Sequence, residues 1–551
     1  MRMPRINIIE LILQELIESR IKSRNDLDCF KRRLAKKYKI PCPSNMALLK
    51  TYHKLVKNKT LHQNKFGAGQ GIKPSKTLEN LLRTRPVRSL SGIVNVSVLT
   101  KPYPCPGKCV YCPSQKGIPK SYLEGEPAVE RAILCNFNPY LQVRTRLKSL
   151  SETGHPIDKI ELRIIGGTWS YYPRQYQSWF ITRCFAACNA ELRGTKRRTT
   201  RKIKSLKKEQ KINEKVKCRI IGITVETRPD YIDFKEIRRM RRLGITRVEL
   251  GVQSIYDDIL KLNKRGHNVQ SIIKTTKLLK DAGFKVSYQI MPNLPGSDFK
   301  RDIKMFQELF SNPDFQPDLL KIYPLALVKQ SPLYKWYQQG KYKPYSKKRL
   351  IKLLIEIKKK IPYYCRIQRV VRDIPSKDIV EGGAKISNLR EVVQKEMAER
   401  GLKCKCIRCR EIKENYNPKE KLYLFRKDYN ASGGKEIFLS FENKKRDKLY
   451  ALLRLRLPQY DKNRPRHVLA GLKESAIIRE VHTYGQMIPV GQKSLSVQHK
   501  GLGKKLIKEA EKIAKKEFGF KKVAVISGVG VRDYYRKLGY RLKDTYMLKK
   551  I

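Results

Sequence analysis

The chain of 551 residues has no uninterrupted apolar run of about 18 residues, the length that a membrane-spanning helix needs. Its N-terminal stretch mixes acidic and basic side chains, which is not the pattern of a secretory signal. Cysteine is sparse: 13 residues in a chain of this length are too few for a disulfide scaffold. We therefore expect a cytoplasmic protein whose clustered cysteines serve metal chemistry.

Acidic residues are scarce relative to basic ones. Lys and Arg number 121 and Asp and Glu only 50, so the formal net charge is +71 at pH 7. Such an excess favours a polyanion, because each phosphate that a basic side chain neutralises releases condensed counterions. A lysine-rich genome would explain the lysines but not the shortage of acids. Since 40% of the residues are hydrophobic, folded cores are expected, and the charge predicts a nucleic-acid partner.

Residues 1–85 have the composition of basic helices. Apolar positions such as Leu48, Tyr52 and Leu55 recur at helical spacing, with basic and aromatic residues around them. This mixture suits RNA, because cations bind phosphates and aromatic rings stack on bases. A solvated helical face has the same composition, so both interpretations stay open for this region.

Residues 86–395 alternate short β-rich runs with amphipathic stretches, which indicates βα units and a parallel sheet or barrel. Active-site residues in such folds lie at the carboxyl ends of the strands. The predicted strands are 93–99, 160–165, 219–225, 246–252, 285–291, 319–323 and 366–371. The segment 194–217 interrupts the pattern with many basic and hardly any large apolar residues. We predict a flexible basic insertion there, in contact with RNA or merely solvated.

Residues 421–551 form a separate α+β pattern with its own predicted core. A glycine-rich turn precedes a long amphipathic helix in this part of the chain. The predicted strands are 422–425, 437–441, 449–457, 487–490, 522–526 and 546–548. The alternation of these elements predicts a second folded domain.

Three cysteines follow the first predicted strand at the spacing CxxxCxxC: Cys105, Cys109 and Cys112. This spacing can hold three irons of a 4Fe–4S cluster and leave the fourth iron open to a small molecule. A zinc site would need a fourth protein ligand close by. The next strand ends on Gly166 and Gly167, where glycine permits a tight turn or close approach to a ligand. We therefore predict an iron–sulfur centre.

This motif resembles that of the radical-SAM superfamily, in which CxxxCxxC follows the first strand of a βα barrel. The resemblance implies that Cys105, Cys109 and Cys112 hold the 4Fe–4S cluster and that its open iron binds S-adenosylmethionine (SAM). It implies that Gly166 and Gly167 contact SAM. It also implies that reductive cleavage of SAM yields a 5′-deoxyadenosyl radical.

A second motif, Gln498 to Lys504, opens the amphipathic helix of the C-terminal domain. Gly501 and Gly503 leave backbone N–H groups exposed at a helix N-terminus, which favours binding of a pyrophosphate. The pattern resembles the Q/R-x-x-G-x-G/A loop of the GNAT acetyltransferases. That resemblance implies acetyl-CoA binding by Gln498, Gly501, Leu502, Gly503 and Lys504.

Further stretches resemble the family of the catalytic third subunit of Elongator, in its prokaryotic form, over residues 75–551. They are 226–230, 251–254, 264–267, 291–295, 479–485 and 524–540. The resemblance implies acetyl-CoA contacts at Lys159, Glu480, Val481, His482, Thr483 and Tyr535. It implies catalytic roles for Lys159, Tyr534 and Tyr535. Without it, a charged residue at a strand start and packed aromatic rings would fit these positions as well.

The same resemblance implies a reaction in which acetyl-CoA and SAM convert uridine 34 of tRNA to 5-carboxymethyluridine. The radical takes hydrogen from the acetyl methyl group, the resulting carbon adds to carbon 5 of uracil, and thioester hydrolysis releases CoA. Residues 86–395 are then a radical-SAM (βα) partial barrel, 421–551 a GNAT domain and 1–85 a tRNA-binding region. We expect a monomer or homodimer, with other Elongator-like subunits as further candidate partners.

Two other functions stay open. One is a protein lysine acetyltransferase with a structural iron–sulfur cluster, which the net charge and the lack of an evident carboxylate-rich channel oppose. The other is an inactive RNA-binding scaffold, which the complete cysteine triad and acetyl-CoA loop oppose. Dependence of uridine modification on SAM distinguishes both from the radical enzyme.

Three further cysteines, Cys404, Cys406 and Cys409, lie in the segment 396–420 between the two domains. Thiols this close together fit a structural zinc site of the Cys₃His or Cys₄ type. His467 and His482 are the candidate fourth ligands, although His482 also lies in the predicted acetyl-CoA strand. An unmetallated loop and a second cluster are the alternatives. The other cysteines are predicted to be packing residues: Cys29, Cys42, Cys135, Cys184, Cys188, Cys218 and Cys365.

Overall fold

The structure is a computed structural model. It describes residues 8–19, 21, 23–61, 75–190, 204–413, 417, 419–459, 472–485 and 501–551. Within these ranges, no helix is both long enough and apolar enough to cross a membrane.

The described part of the N-terminal region forms four helices, which confirms the predicted helical character. They are α1 (Ile8–Glu18), α2 (Arg24–Lys37), α3 (Asn45–Leu61) and α4 (Lys76–Leu82). Buried leucines from all four helices, together with Tyr52, build a small core of their own. The apolar run in α1 resolves into one buried face, formed by Ile12, Leu13 and Leu16. The basic residues of this region are therefore carried by a folded helical unit.

Seven parallel strands form the first sheet, in the order β1 to β7 along the chain. They are β1 (Val94–Leu99), β2 (Lys159–Ile165), β3 (Arg219–Thr227), β4 (Arg247–Gln253), β5 (Lys285–Ile290), β6 (Leu319–Ile322) and β7 (Arg366–Val370). Each predicted strand is confirmed close to its expected bounds. The sheet is a partial barrel, since β1 and β7 are its two edges in the described part of the chain.

Helices connect these strands and cover the outside of the sheet. They are α5 (Pro127–Leu134), α6 (Pro139–Glu152), α7 (Arg174–Asn189), α8 (Leu206–Asn213), α9 (Phe234–Leu243), α10 (Asp257–Leu262), α11 (Val269–Asp281), α12 (Phe299–Ser311), α13 (Leu333–Gln338), α14 (Lys347–Lys360), α15 (Leu389–Glu399) and α16 (Ile407–Arg410). Successive strand residues point to opposite faces. In β2, Ile160, Leu162 and Ile164 join the outer core, while Glu161 and Arg163 lie on the polar inner face.

The flexible basic insertion predicted over 194–217 is partly wrong. Residues 206–213 are the helix α8, and it is held by buried polar contacts rather than by large apolar side chains. Asn213 Nδ2 donates to Asn189 Oδ1 at 2.8 Å, and Asn189 Nδ2 donates to Glu209 Oε2 at 2.7 Å. A helix that is held by polar contacts cannot be predicted from hydrophobic periodicity. Residues 191–203 lie outside the described ranges.

A second seven-stranded sheet forms the C-terminal domain, in the order β13-β14-β12-β11-β10-β9-β8. Its strands are β8 (Tyr423–Asn430), β9 (Gly434–Glu442), β10 (Leu449–Pro458), β11 (Ser475–Thr483), β12 (Lys522–Val525), β13 (Arg541–Lys543) and β14 (Tyr546–Lys550), with helices α17 (Leu502–Lys516) and α18 (Arg532–Arg536). Only β11 and β12 pair in parallel. The strand predicted at 487–490 lies outside the described residues.

The C-terminal sheet packs against the amino ends of the barrel strands. Asp318, just before β6, accepts from Arg479 Nη1 of β11 at 2.8 Å, and both side chains are fully buried. Lys285, the first residue of β5, lies 3.2 Å from Glu480 of β11. One continuous hydrophobic core extends through both domains. The two sheets therefore form a single packed unit.

Candidate active site

The three cysteines of the CxxxCxxC motif line one cavity at the carboxyl ends of the barrel strands. Cys105, Cys109 and Cys112 follow β1, and the cavity they share has a volume of about 170 Å³. Arg265 Nη1 donates to Cys109 Sγ at 3.4 Å, and its Nη2 donates to the Gly251 carbonyl at 2.6 Å. A buried guanidinium thus places positive charge directly beside the Cys109 sulfur.

Buried polar atoms without a hydrogen-bond partner surround this cavity. In the described part of the chain, those on residues that line the cavity are Tyr111 Oη, Arg163 Nε, Arg228 Nη1, Gln253 Oε1 and Arg265 Nε. Each such atom costs about 1–3 kcal/mol when nothing satisfies it. Their concentration beside three thiols fits a bound polar group, and the donor set fits an iron–sulfur cluster with a zwitterionic ligand.

Glycines shape the walls of the cavity. A Cβ atom on Gly107 would lie 2.6 Å from Arg228 Nη1 and 3.5 Å from Cys109 Sγ, so the cysteine loop leaves room only for glycine there. Gly166 and Gly167, after β2, have φ of +130° and +106°, values that L side chains rarely adopt. Gly167 lines the cavity, and its exposed backbone can approach a ligand closely.

The floor of the cavity is a buried charge network that sequence reasoning missed. Glu226, near the end of β3, accepts from Arg163 at 3.2 Å, Lys321 at 3.0 Å and Tyr122 at 2.7 Å. Arg163 and Lys321 also contact Glu249. Burial would raise the pKa of Glu249, but the charges of Arg163 and Lys321 outweigh burial and lower it to about 2. Polar residues alternating along β2 and β3 were the available sequence signal.

Three residues of the predicted acetyl-CoA site meet at the start of α17. A Cβ atom on Gly503 would lie 3.0 Å from Tyr534 Oη and 3.7 Å from Thr483 Oγ1 and from a Val481 methyl group. Gly501 precedes the helix with φ of +72°, and no side chain of the described residues caps this end. The backbone N–H groups of the first turn are therefore open to an anion. Gln498 lies outside the described residues.

The glycine-rich loop before α17 continues into the helix with one buried apolar side chain and one exposed charged side chain. Leu502 is buried in the core below the first turn of α17, whereas Lys504 is exposed beside it. A buried leucine fixes the turn against the sheet, and an exposed lysine presents charge to a phosphate. The structure thus brings the backbone of Gly501 and the Lys504 ammonium to one end of the helix.

The side chains of Glu480 and His482 are engaged in the domain interface. Glu480 Oε2 accepts from Arg454 Nε at 2.9 Å, and Oε1 from Lys285 at 3.2 Å. Burial opposes ionisation of Glu480, but the Lys285 and Arg454 charges hold its pKa well below the ordinary value. His482 Nε2 donates to the Ser91 carbonyl at 2.9 Å. These side chains fix β11 against the barrel.

Lys159 and the two tyrosines differ in their surroundings. Lys159 opens β2 at the domain boundary, where burial lowers its pKa to about 8. Tyr535 is buried in the core, whereas Tyr534 is half-buried and faces Gly503. Burial raises the pKa of Tyr534 to about 12. Tyr534 is thus protonated at neutral pH, and it is the tyrosine beside the glycine turn.

The two candidate sites lie at opposite ends of the barrel strands. Met291, beyond the carboxyl end of β5, lines the cysteine cavity, while Lys285 at its amino end contacts β11. A strand of this length spans about 20 Å. Between these ends the inner face carries polar residues, among them Glu161, Arg163 and Gln289. The inner face of the barrel is therefore polar between these ends.

The three cysteines of the segment between the two domains also lie close together. The sulfur atoms of Cys404, Cys406 and Cys409 lie within 4.8 Å of one another, and this group contains no histidine among the described residues. His482, one of the two candidate fourth ligands, is not part of this group, and its Nε2 donates to the Ser91 carbonyl. His467 lies outside the described ranges.

The prediction that the other cysteines are packing residues is confirmed for most of them. Cys135, Cys184, Cys188, Cys218 and Cys365 are buried. Cys29 and Cys42 are exposed, so the prediction is wrong for these two. Both lie in or next to the N-terminal helices, whose small core has too little interior for every apolar side chain.

Comparison with protein families assigns most of the chain. The radical-SAM superfamily matches residues 103–309, and the radical-SAM C-terminal domain matches residues 317–399. The acetyltransferase (GNAT) family matches residues 494–540. The partial barrel is thus a radical-SAM domain, which implies a 4Fe–4S cluster and SAM. The C-terminal sheet is a GNAT domain, which implies acetyl-CoA.

Individual relatives match nearly the whole chain. The tRNA uridine(34) acetyltransferase of Methanocaldococcus infernus is 44% identical over 99% of this chain and 98% of the relative. Elongator complex protein 3 of Homo sapiens is 39% identical over 86% of this chain and 87% of the relative. The solved structure of M. infernus Elp3 with an N-terminal deletion aligns with a TM-score of 0.71 and 44% identity, over 84% of this chain and 100% of that one. The chain therefore belongs to the Elongator complex protein 3 family.

Proposed function

We propose that the chain is a tRNA-modifying enzyme that converts uridine 34 to 5-carboxymethyluridine, with acetyl-CoA and SAM as co-substrates. The observation that carries this proposal is the presence, in one packed unit, of a three-thiol cavity and a GNAT glycine turn. Relatives named tRNA uridine(34) acetyltransferase match the chain over almost its full length. The large positive charge suits a tRNA substrate.

At the cysteine cavity, Cys105, Cys109 and Cys112 would hold the 4Fe–4S cluster, and Gly167 would leave its backbone open to SAM. When bound, the cluster and SAM supply a carbon radical that makes the acetyl methyl group able to bond to carbon 5 of uracil. Arg265 offsets the negative charge of the thiolates. Around them the buried walls exclude water from the reacting atoms.

At the GNAT end, the first turn of α17 would bind the pyrophosphate of acetyl-CoA through backbone N–H groups and Lys504. Lys159 would approach the same ligand from the barrel side, and the Tyr534 hydroxyl would face its thioester arm from beside Gly503.

The N-terminal helices would hold the body of the tRNA, with the enzyme acting as a monomer or homodimer. Cys404, Cys406 and Cys409 would bind a structural zinc ion. The close approach of their sulfur atoms supports this assignment. Elemental analysis of the purified protein tests this: about one zinc per chain is expected, and Cys406→Ser should lose it while Cys29→Ser should not.

A protein lysine acetyltransferase is the weaker alternative. A cationic lysine side chain would meet a strongly basic protein. Three relatives that are 44%, 47% and 44% identical to the chain are named for tRNA uridine, not for a protein substrate.

The decisive experiment follows an acetyl-group label into tRNA. Anaerobically reconstituted protein is incubated with SAM, labelled acetyl-CoA and unfractionated tRNA that lacks the modification. Label retained by wild type and by the exposed control Cys29→Ala, but lost in Cys109→Ala, supports the proposal. Equal labelling by all three proteins would establish ordinary acetyl transfer instead. No label from any of them would overturn the assigned reaction.

A further inference from the structure

A row of aromatic side chains runs alongside the cysteine loop. Neighbouring ring centroids are 5.6, 5.9, 4.9, 5.2 and 5.6 Å apart along the row. In this order its members are Tyr231, Tyr171, Tyr103, Tyr172, Tyr176 and Trp179. We call this set the aromatic row. Its spacing keeps each ring in contact with the next, and Tyr172, which is only 5% exposed, anchors the row in the interior.

The row reaches solvent and carries cations. Tyr171 is 39% exposed and Trp179 is 42% exposed, which is unusual for large aromatic side chains that serve only to fill a core. Lys101 Nζ lies 5.2 Å from the Tyr176 centroid, and the Arg183 guanidinium lies 5.9 Å from that of Trp179. Exposed π-faces flanked by cations are the features that bind unpaired nucleotides.

The row is fixed to the segment that leads into the cysteine loop. Tyr172 Oη donates to the Lys101 carbonyl at 2.9 Å, and the Lys101 N–H donates to Tyr176 Oη at 3.0 Å. Tyr103 stands two residues before Cys105 and stacks on Tyr172. A base held on Tyr171, whose ring centroid lies 5.9 Å from that of Tyr103, would therefore lie near the cysteine loop.

A basic groove adjoins the far end of the row at Tyr231. Its volume is about 590 Å³. Its cationic residues are Arg174, Lys235, Arg238, Arg239 and Arg242. Its acidic side chains are already engaged: Asp230 pairs with Arg228 at 2.7 Å, Glu236 pairs with Arg239, and Asp233 caps α9. The groove thus presents positive charge to a partner.

We propose that the aromatic row and the basic groove bind the unpaired nucleotides of an RNA loop, with bases stacked on Tyr171 and Trp179 and phosphates in the groove. The proposal rests on the proposed function, since a tRNA presents its wobble uridine in such a loop. Exposed rings suit unpaired bases but not duplex RNA, whose bases stack on one another and hide their faces. The cations complement phosphates rather than a second basic surface.

Binding of two RNA probes to the full-length protein tests this. One probe is a hairpin with an unpaired loop, and the other is a duplex of equal charge. Tyr171→Ala and Trp179→Ala should each weaken hairpin binding about tenfold and leave duplex binding unchanged. Trp179→Phe should restore most of the affinity. Leu134→Ala, which removes an 85% exposed side chain elsewhere, is the matched control and should bind both probes normally.

Salt dependence separates the two parts of the surface. Replacing Arg174 and Arg242 by Gln should reduce the slope of log affinity against log salt by about 0.7 for each lost phosphate contact. The ring variants should leave that slope unchanged. Equal weakening of hairpin and duplex by the ring variants, or no weakening at all, would overturn the proposal.

The outcome is independent of the reaction assay. If the ring variants bind the hairpin normally while the wild type labels tRNA, the surface is wrong and the proposed function stands. If hairpin binding depends on the rings while tRNA takes up no label, the surface stands and the proposed reaction fails.

Discussion

At the scale of the single residue, Lys159 has a pKa that lies close to neutral pH. Burial lowers its pKa to about 8. In the folded state the proton is thus lost at a lower pH than in the unfolded chain. Burial therefore costs stability below about pH 8, and this cost shrinks as the pH rises toward the unfolded pKa of about 10.4. A phosphate beside Lys159 would favour the protonated form.

We predict that acetyl-CoA binding weakens about tenfold between about pH 7 and about pH 9, because Lys159 loses the charge that contacts the ligand. Lys159→Arg should bind with little dependence on pH over this range, because arginine stays charged. Isothermal titration calorimetry measures both. Lys508→Arg, an exposed exchange on α17, is the control. A pH dependence that survives in Lys159→Arg would remove Lys159 from the acetyl-CoA site.

At the scale of the element, the start of α17 combines the positive end of a helix dipole with glycines that leave the backbone accessible. Gly501 takes the left-handed conformation before the helix, and Gly503 leaves the space between Tyr534 and Thr483 open. A positive helix end needs a ligand that can approach its backbone. Glycine at these positions provides that approach.

We predict that Gly503→Val lowers acetyl-CoA affinity at least tenfold, because the added methyl groups meet the Tyr534 hydroxyl and Thr483. Circular dichroism should show the helix content unchanged, since one valine in a helix costs only about 0.5 kcal/mol. Calorimetric titration gives the affinity. Lys508→Ala, exposed on the same helix, should behave as wild type. Normal affinity in Gly503→Val would mean that the ligand binds elsewhere.

At the scale of the whole molecule, buried ion pairs join the two sheets. Asp318 of the barrel accepts from Arg479 and lies 3.6 Å from Arg454, both in the C-terminal sheet. Burial alone would raise the pKa of Asp318, but the charges, Arg479 first, lower it below the ordinary value. Its contribution to stability is therefore present above about pH 4 and is lost as the pH falls through the folded pKa.

We predict that Asp318→Asn destabilises the protein by about 3–5 kcal/mol, because it removes the carboxylate nearest to the buried Arg479 and leaves that guanidinium with only Glu436, at 3.3 Å. Urea unfolding followed by circular dichroism measures the change. Asp428→Asn, at a partly exposed pair with Arg426, is the control and should have little effect. If Asp318→Asn unfolds one domain before the other, the interface also couples their unfolding; an unchanged midpoint would contradict the prediction.

Local sequence determined the strands and helices and predicted the chemistry of the two candidate sites. Strand alternation located all seven strands of the barrel, because one face of each strand must pack on helices. The cysteine spacing and the glycines at 501 and 503 predicted an iron–sulfur site and an acetyl-CoA site, because these functions need particular residues at neighbouring positions.

Tertiary structure alone decided which distant residues meet. It placed the GNAT sheet on the amino ends of the barrel strands and bound His482 to Ser91. It also gathered Arg163, Glu226 and Lys321 beneath the cysteine cavity. It aligned the rings from Tyr231 to Trp179 into one row. These contacts join residues far apart in the chain, and their partners are set by the packing of the sheets, which periodicity and spacing do not encode.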